Sequence, residues 1–116
     1  MGWRGPMSSP DEGVYQQALE LTALVDAVLE KAEARFHHKD TLDKASTLVA
    51  ICVAQAASET TKVARRRQYR AARRAMTDCI VVLDILARAR GASDVVAQAH
   101  GLATKLVTQL AHLESR

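Results

Sequence analysis

The chain has 116 residues, of which 48% are apolar and 3% aromatic, and its formal net charge is +3. That length fits one domain, able to bury a core only if every element gives a face to it. Helix-favouring Ala, Leu and Arg abound, the prolines are Pro6 and Pro10, and after Gly13 only Gly91 and Gly101 follow, too few turn residues for a β-rich domain and too much apolar content for a disordered one.

Residues 1–9 read as a disordered leader, with Met7 as an alternative natural start, and 10–116 as one domain. The opening Met-Gly-Trp-Arg-Gly-Pro lacks the apolar run of a signal peptide, and Pro6 stands where a myristoylation pattern wants Ser or Thr. Lys31, Lys44, Lys62 and Asp84 interrupt every candidate membrane span, so the expected compartment is the cytoplasm and no membrane partner is expected.

Ser9-Pro10-Asp11-Glu12 predicts a helix start: a capping Ser, Pro at the first helical position and acids at the positive end of the dipole. Val14, Ala18, Leu21, Val25, Val28 and Ala32 then recur in steps of four and three, widened by Leu24 and Leu29. Phe36-His37-His38-Lys39 breaks the pattern and reads as a loop, with Asp40 or Thr41 capping a second helix. Its stripe is Leu42, Ala45, Val49, Cys52 and Ala56. Leu48, Ile51 and Val53 make it apolar over most of its surface, as a deeply buried helix or one facing another subunit would be.

Ser58 to Lys62 predicts a turn, and a third helix follows over about 63–88 with Tyr69, Ala72, Met76, Cys79, Leu83 and Leu86 on one stripe. Ile80, Val81, Val82 and Ile85 add a second apolar edge. Arg90-Gly91-Ala92-Ser93-Asp94 is a strong turn signal, Gly91 suiting the C′ position and Ser93 the N-cap. The fourth helix carries Val95, Ala99, Leu102, Leu106, Leu110 and Leu113. Four such helices joined by short loops predict an all-α, antiparallel up-down-up-down four-helix bundle. Its many core alanines bury little area per position, which points to self-association through the extra apolar residues of the second and third helices.

Charge is unevenly spread. Residues 1–58 hold five Lys/Arg against eight Asp/Glu, and residues 59–116 eleven against five. The excess gathers in Lys62, Arg65, Arg66, Arg67, Arg70, Arg73 and Arg74, seven cations with no acid between them. On a helix, Arg66, Arg70 and Arg73 share a face, as do Arg67 and Arg74. Such a run at a helix start opposes the macrodipole and repels itself, so stability alone does not select it. Guanidinium forks match phosphate, which makes a nucleic-acid backbone the natural partner. An acidic protein partner is a second reading, and a solvated face bridged to first-helix acids such as Glu20, Glu30 or Glu33 a third. The aromatics are Trp3, Tyr15, Phe36 and Tyr69, too few for a base-stacking platform, so little sequence preference is expected.

No cofactor or metal is expected. His37 and His38 sit beside Asp40, and His100 and His112 are twelve residues apart; none has the i+3 or i+4 partner a helical metal site wants. Cys52 and Cys79 lie in apolar stripes and read as reduced, buried small hydrophobes. Ser46 and Ser58 lack a nucleophile's context, Glu59 reads as a helix-end group, and no Gly-rich phosphate loop is present, so catalysis is not expected.

Within Leu-Asp-Lys-Ala-Ser-Thr-Leu-Val-Ala-Ile-Cys-Val-Ala-Gln-Ala, Leu42, Ala45, Ser46, Val49 and Ala54 form a pattern followed by the basic Arg65, Arg66 and Arg67 and the aromatic Tyr69. In this the stretch from Leu42 to Leu86 resembles the four-helix bundle family encoded within intervening sequences of bacterial 23S ribosomal RNA genes, a family related to the accessory variability protein of diversity-generating retroelements. The chain departs from it at Cys52, Gln55 and Ala56, where the family has Asn, Glu and Gly, and in lacking the family's Gly-Ser on the third helix. The outer helices match only by pattern. The resemblance implies a ring-shaped homo-oligomer, a homopentamer, of antiparallel four-helix bundles with basic surfaces and no established enzyme activity. The retroelement relatives bind nucleic acid and a reverse transcriptase. The expected function is thus a non-enzymatic oligomeric scaffold that binds RNA or DNA backbone through the seven cations, or alternatively a protein-interaction adaptor.

Overall fold

In a computed structural model, residues 9–31, 35–90 and 93–116 are described. They form four helices, α1 (Ser9–Lys31), α2 (Phe36–Ser58), α3 (Lys62–Arg90) and α4 (Asp94–Ser115), with no strand among the described residues. The leader, except for Ser9, and Gly91 lie outside the described residues.

At about 1.5 Å per residue the 29-residue α3 spans roughly 43 Å. The molecule's longest dimension is 44 Å, so the helices run along one common axis. Each packs against two neighbours, α1 on α2 and α4, and α3 on α2 and α4, with the backbones of the diagonal pairs lying farther apart. Short connections between consecutive neighbours force the chain to reverse at each one. The α3–α4 register shows the reversal directly: Arg66 meets Arg116, Arg70 meets Glu114, and Asp84 meets His100. As one number rises the other falls, the mark of an antiparallel pair.

The core follows the apolar stripes. In α1 Val14, Ala18, Leu21, Val25 and Val28 are buried, in α2 Leu42, Ala45, Val49, Cys52 and Ala56, and in α3 the whole expected stripe from Tyr69 to Leu86. Among the described residues, seven of the 25 buried apolar ones are alanines, which lets the helices approach closely but buries little area at each position. Tyr69 is the largest fully buried side chain and sets the rotational phase of α3.

Two expectations need correction. The segment Phe36 to Lys39 is the first turn of α2, not a loop. Arg35 is extended (φ −64°, ψ 148°) and its carbonyl accepts from the amides of His38 and Lys39, so the helix starts without a side-chain cap. Asp40 does not cap it either, pairing instead with Lys44 one turn on at 3.0 Å. In α4 the buried stripe is Val96, Ala99, Ala103, Leu106, Leu110 and Leu113. Val95 and Leu102 are half-buried, because the first turns of α4 sit about one residue out of the expected phase.

The expected cap of α4 is present: Ser93 is extended and its hydroxyl oxygen accepts from the Val96 amide at 3.3 Å. On α2, Val53 joins the core, whereas Leu48 and Ile51 remain 44% and 46% exposed in the single chain. No helix of the described residues is long and apolar enough to cross a membrane.

Candidate functional site

The basic run opens α3. Glu59 closes α2 with extended backbone, and Thr61 begins α3: its hydroxyl accepts from the Ala64 amide at 3.1 Å and its carbonyl from the Arg65 amide. No acid lies in the first turn of α3, so Lys62 and Arg65 sit against the positive end of the helix dipole uncompensated by it. Arg65 folds back to the Glu59 carbonyl at 3.4 Å, and Gln68 donates to the Glu59 carboxylate at 3.3 Å. Glu59 is thus a helix-end group that ties the α2–α3 turn.

With Tyr69 in the core, helical rotation puts Arg66, Arg70 and Arg73 on the flank that faces α4. There they converge on the last turn of α4. Arg73 Nε donates to Glu114 Oε1 at 2.6 Å and its second nitrogen, Nη2, to Oε2 at 3.3 Å. Arg70 Nε reaches Oε2 at 2.9 Å. Arg66 donates through both Nε and Nη2, at 3.2 and 2.9 Å, to the carbonyl oxygen of Arg116. Together with Ala111 and Ser115 these residues line an open groove of about 530 Å³.

The electrostatics follow. Glu114 is 15% exposed, and its hydrogen bonds from Arg73 and Arg70 pull its carboxyl from the ordinary 4.5 down to about 2. The reciprocal hydrogen bond and the charge of Glu114 raise the Arg73 guanidinium above its ordinary value. Three guanidiniums and one carboxylate line the groove, so it keeps an excess of positive charge.

Lys62, Arg67 and Arg74 differ from the rest. All are exposed, and none has an ion pair or hydrogen-bond partner among the described residues. Arg67 and Arg74 lie two turns apart on the outer face of α3, roughly 80° round the helix from the groove. The seven cations therefore divide into four engaged within the molecule (Arg65, Arg66, Arg70, Arg73) and three open to solvent.

Glu114 was not among the acids expected to meet the run. Glu20 and Glu30 are exposed on α1, diagonally across the bundle from α3, and Glu33 lies outside the described residues. The useful signal was the turn near Gly91: folding α4 back on α3 around it brings the chain's last acid opposite Arg70.

A second groove, of about 340 Å³, lies nearer the other end of the α3–α4 seam. Leu83, Ala87 and Val96 line it, and His100 Nε2 meets Asp84 Oδ1 at 2.9 Å. His37 and His38 are neighbours in the first turn of α2, their ring centroids 4.1 Å apart. Among the described residues no three His, Cys, Asp or Glu side chains gather as metal ligands. Cys52 and Cys79 are free and buried; burial raises both thiols, Cys79 to about 12, with the nearby charge of Asp78 adding to it. Ser46 is buried and its hydroxyl donates to the Asp43 carbonyl at 3.1 Å, a bond within its own helix.

No protein-family model and no curated protein matches the chain. A solved structure from Bacteroides thetaiotaomicron VPI-5482, a protein of unknown function from the S23 ribosomal protein family, is similar to it with a TM-score of 0.82. That likeness covers 92% of this chain and 99% of the other at 12% identity, and at such identity it speaks for the fold alone. The all-α four-helix architecture is thus shared almost end to end with a known protein.

Proposed function

We propose that this protein is a non-enzymatic helical scaffold that binds the phosphate backbone of RNA or DNA with little sequence preference, through the arginine face at the start of α3. The observation that carries the reading is the exposure of Lys62, Arg67 and Arg74 without partners among the described residues, beside a groove lined by three further arginines. Arginine forks bind phosphate bidentately, and a row of solvent-facing cations is the electrostatic footprint of a nucleic-acid site. The acidic partner reading is favoured by one specific observation: a carboxylate, Glu114, already sits in the fork of Arg73 and accepts from Arg70 Nε.

We further infer that the chain is a divergent member of the four-helix bundle family of 23S rRNA intervening sequences and works as a ring-shaped homo-oligomer. The fold shared with the Bacteroides protein supports the first part. The alanine-rich core and the exposed Leu48, Ile51, Val81 and Ile85 support the second. The pentameric count comes from the family resemblance.

The test is fluorescence anisotropy of nuclease-treated protein with generic duplex DNA and structured RNA over a salt series. The variant is Arg67→Gln/Arg74→Gln, which spares the arginines tied to α4. Affinity should fall with salt, and losing two phosphate contacts should flatten the log–log slope on duplex DNA by about 2. Absence of binding at low salt overturns the nucleic-acid reading, and a co-purifying acidic protein would then replace it.

A further inference from the structure

Two arginines of the groove, Arg66 and Arg73, already have their Nε and Nη2 donors engaged. Arg66 and Arg73 each turn the same guanidinium edge, Nε with Nη2, toward the end of α4. Such paired N–H groups are what grips a phosphate bidentately. Arg70 spends its Nε on Glu114, and both oxygens of Glu114 are engaged. The carboxylate stands where a ligand oxyanion would be held, in a groove open to solvent and with Ser115 at its rim.

Resting on the reading above, we infer that Glu114 is a built-in substitute for a phosphate. It fills the Arg73 fork and holds the Arg70 Nε of the free protein, and it is displaced when a phosphate oxyanion enters the groove. The protein then has two tiers of cations. Lys62, Arg67 and Arg74 meet the polyanion first, and the paired Nε and Nη2 donors of Arg66 and Arg73 become available only when the end of α4 yields. Displacement lowers the apparent affinity by the fraction of molecules whose forks are free. A carboxylate that merely positioned the arginines would act with the opposite sign, since neutralising it would weaken binding.

The test compares wild type, Glu114→Gln and Asp78→Asn, the last removing an equal charge from an exposed site of α3 outside the groove. Each is titrated with a labelled RNA oligonucleotide and, separately, with inorganic tripolyphosphate, so that nucleic acid and free polyphosphate are told apart as sources of the oxyanion. Melting by circular dichroism checks the fold, and Glu114→Ala serves as a second variant. Glu114→Gln should tighten binding at least fivefold beyond Asp78→Asn. Adding Arg73→Ala should erase that gain while changing the wild type little. Tightening for both ligands upholds the inference. Tightening for tripolyphosphate alone, with no oligonucleotide bound by any variant, upholds the displaced carboxylate and overturns the nucleic-acid reading. Salt-dependent oligonucleotide binding that Glu114→Gln leaves equal to Asp78→Asn, or weakens, overturns the inference alone. Binding of neither ligand overturns both.

Discussion

Arg73 and Glu114 are 41 residues apart in the chain and form a two-pronged pair, with bonds of 2.6 and 3.3 Å that join the start of α3 to the end of α4. The pair is local in space only because the two helices run antiparallel. It makes the acid stability of this end of the α3–α4 seam sensitive to one carboxylate.

The Glu114 carboxyl is lowered from 4.5 to about 2 by Arg73 and then Arg70. A lowered carboxyl contributes stability that is full above its unfolded value and is lost as pH falls through the folded one. The contribution should therefore be complete above pH 4.5 and fade toward pH 2. For a partly solvated ion pair it is about 1 kcal/mol. Urea unfolding at pH 7 and at pH 2 should show Glu114→Gln less stable by that amount at pH 7, with most of the difference gone at pH 2.

The thiols offer a second check. Cys79 is fully buried with its thiol pushed up to about 12, and Cys52 is 4% exposed and also raised. Only the thiolate is nucleophilic. Native protein at pH 8 should resist alkylation by iodoacetamide, and both cysteines should react once guanidinium unfolds the chain. Rapid labelling of the native protein would show that the α2–α3 core opens readily.

Core packing gives a third. Leu106 and Ala72 are both fully buried. Leu106→Ala should cost about 2–5 kcal/mol through lost burial and the cavity left behind. Ala72→Leu should cost about 1–3 kcal/mol, because an interior built on small residues has no room for the added atoms. A stabilising Ala72→Leu in chemical denaturation would mean that the bundle is loosely filled there.

Much of this fold is legible in the apolar stripes because a long helix repeats its signal many times. The stripe of α3 needs no revision from Tyr69 to Leu86. The start of α2 is not legible, because a first turn needs no intrahelical partners for its amides, and Phe36-His37-His38 carries no apolar period. The early phase of α4 is obscured by Val95 and Val96 standing side by side, either able to lead the stripe. The arginine cluster is visible as a run, but its division into engaged and open members is not. That division depends on α4, whose Glu114 meets the run only through the tertiary register.

Helix α4 supplies a fourth prediction. Gly101 lies inside α4 with open space where a Cβ would stand, so Gly101→Ala should stabilise by about 0.5–1 kcal/mol. Ser93 caps the same helix through the Val96 amide, and Ser93→Ala should cost about 1 kcal/mol. Thermal melts of the two variants should move in opposite directions.

The antiparallel course gathers the start of α1, the start of α3 and the end of α4 at one pole of the bundle. Anything joined after Arg116 leaves the fold beside Arg66. A segment tethered there is held near the arginines at a local concentration in the millimolar range when its linker is short. An acidic extension would compete within its own molecule against any free polyanion, and a basic one would lengthen the cationic track, so the same bundle could be tuned from that end without altering a residue of its core.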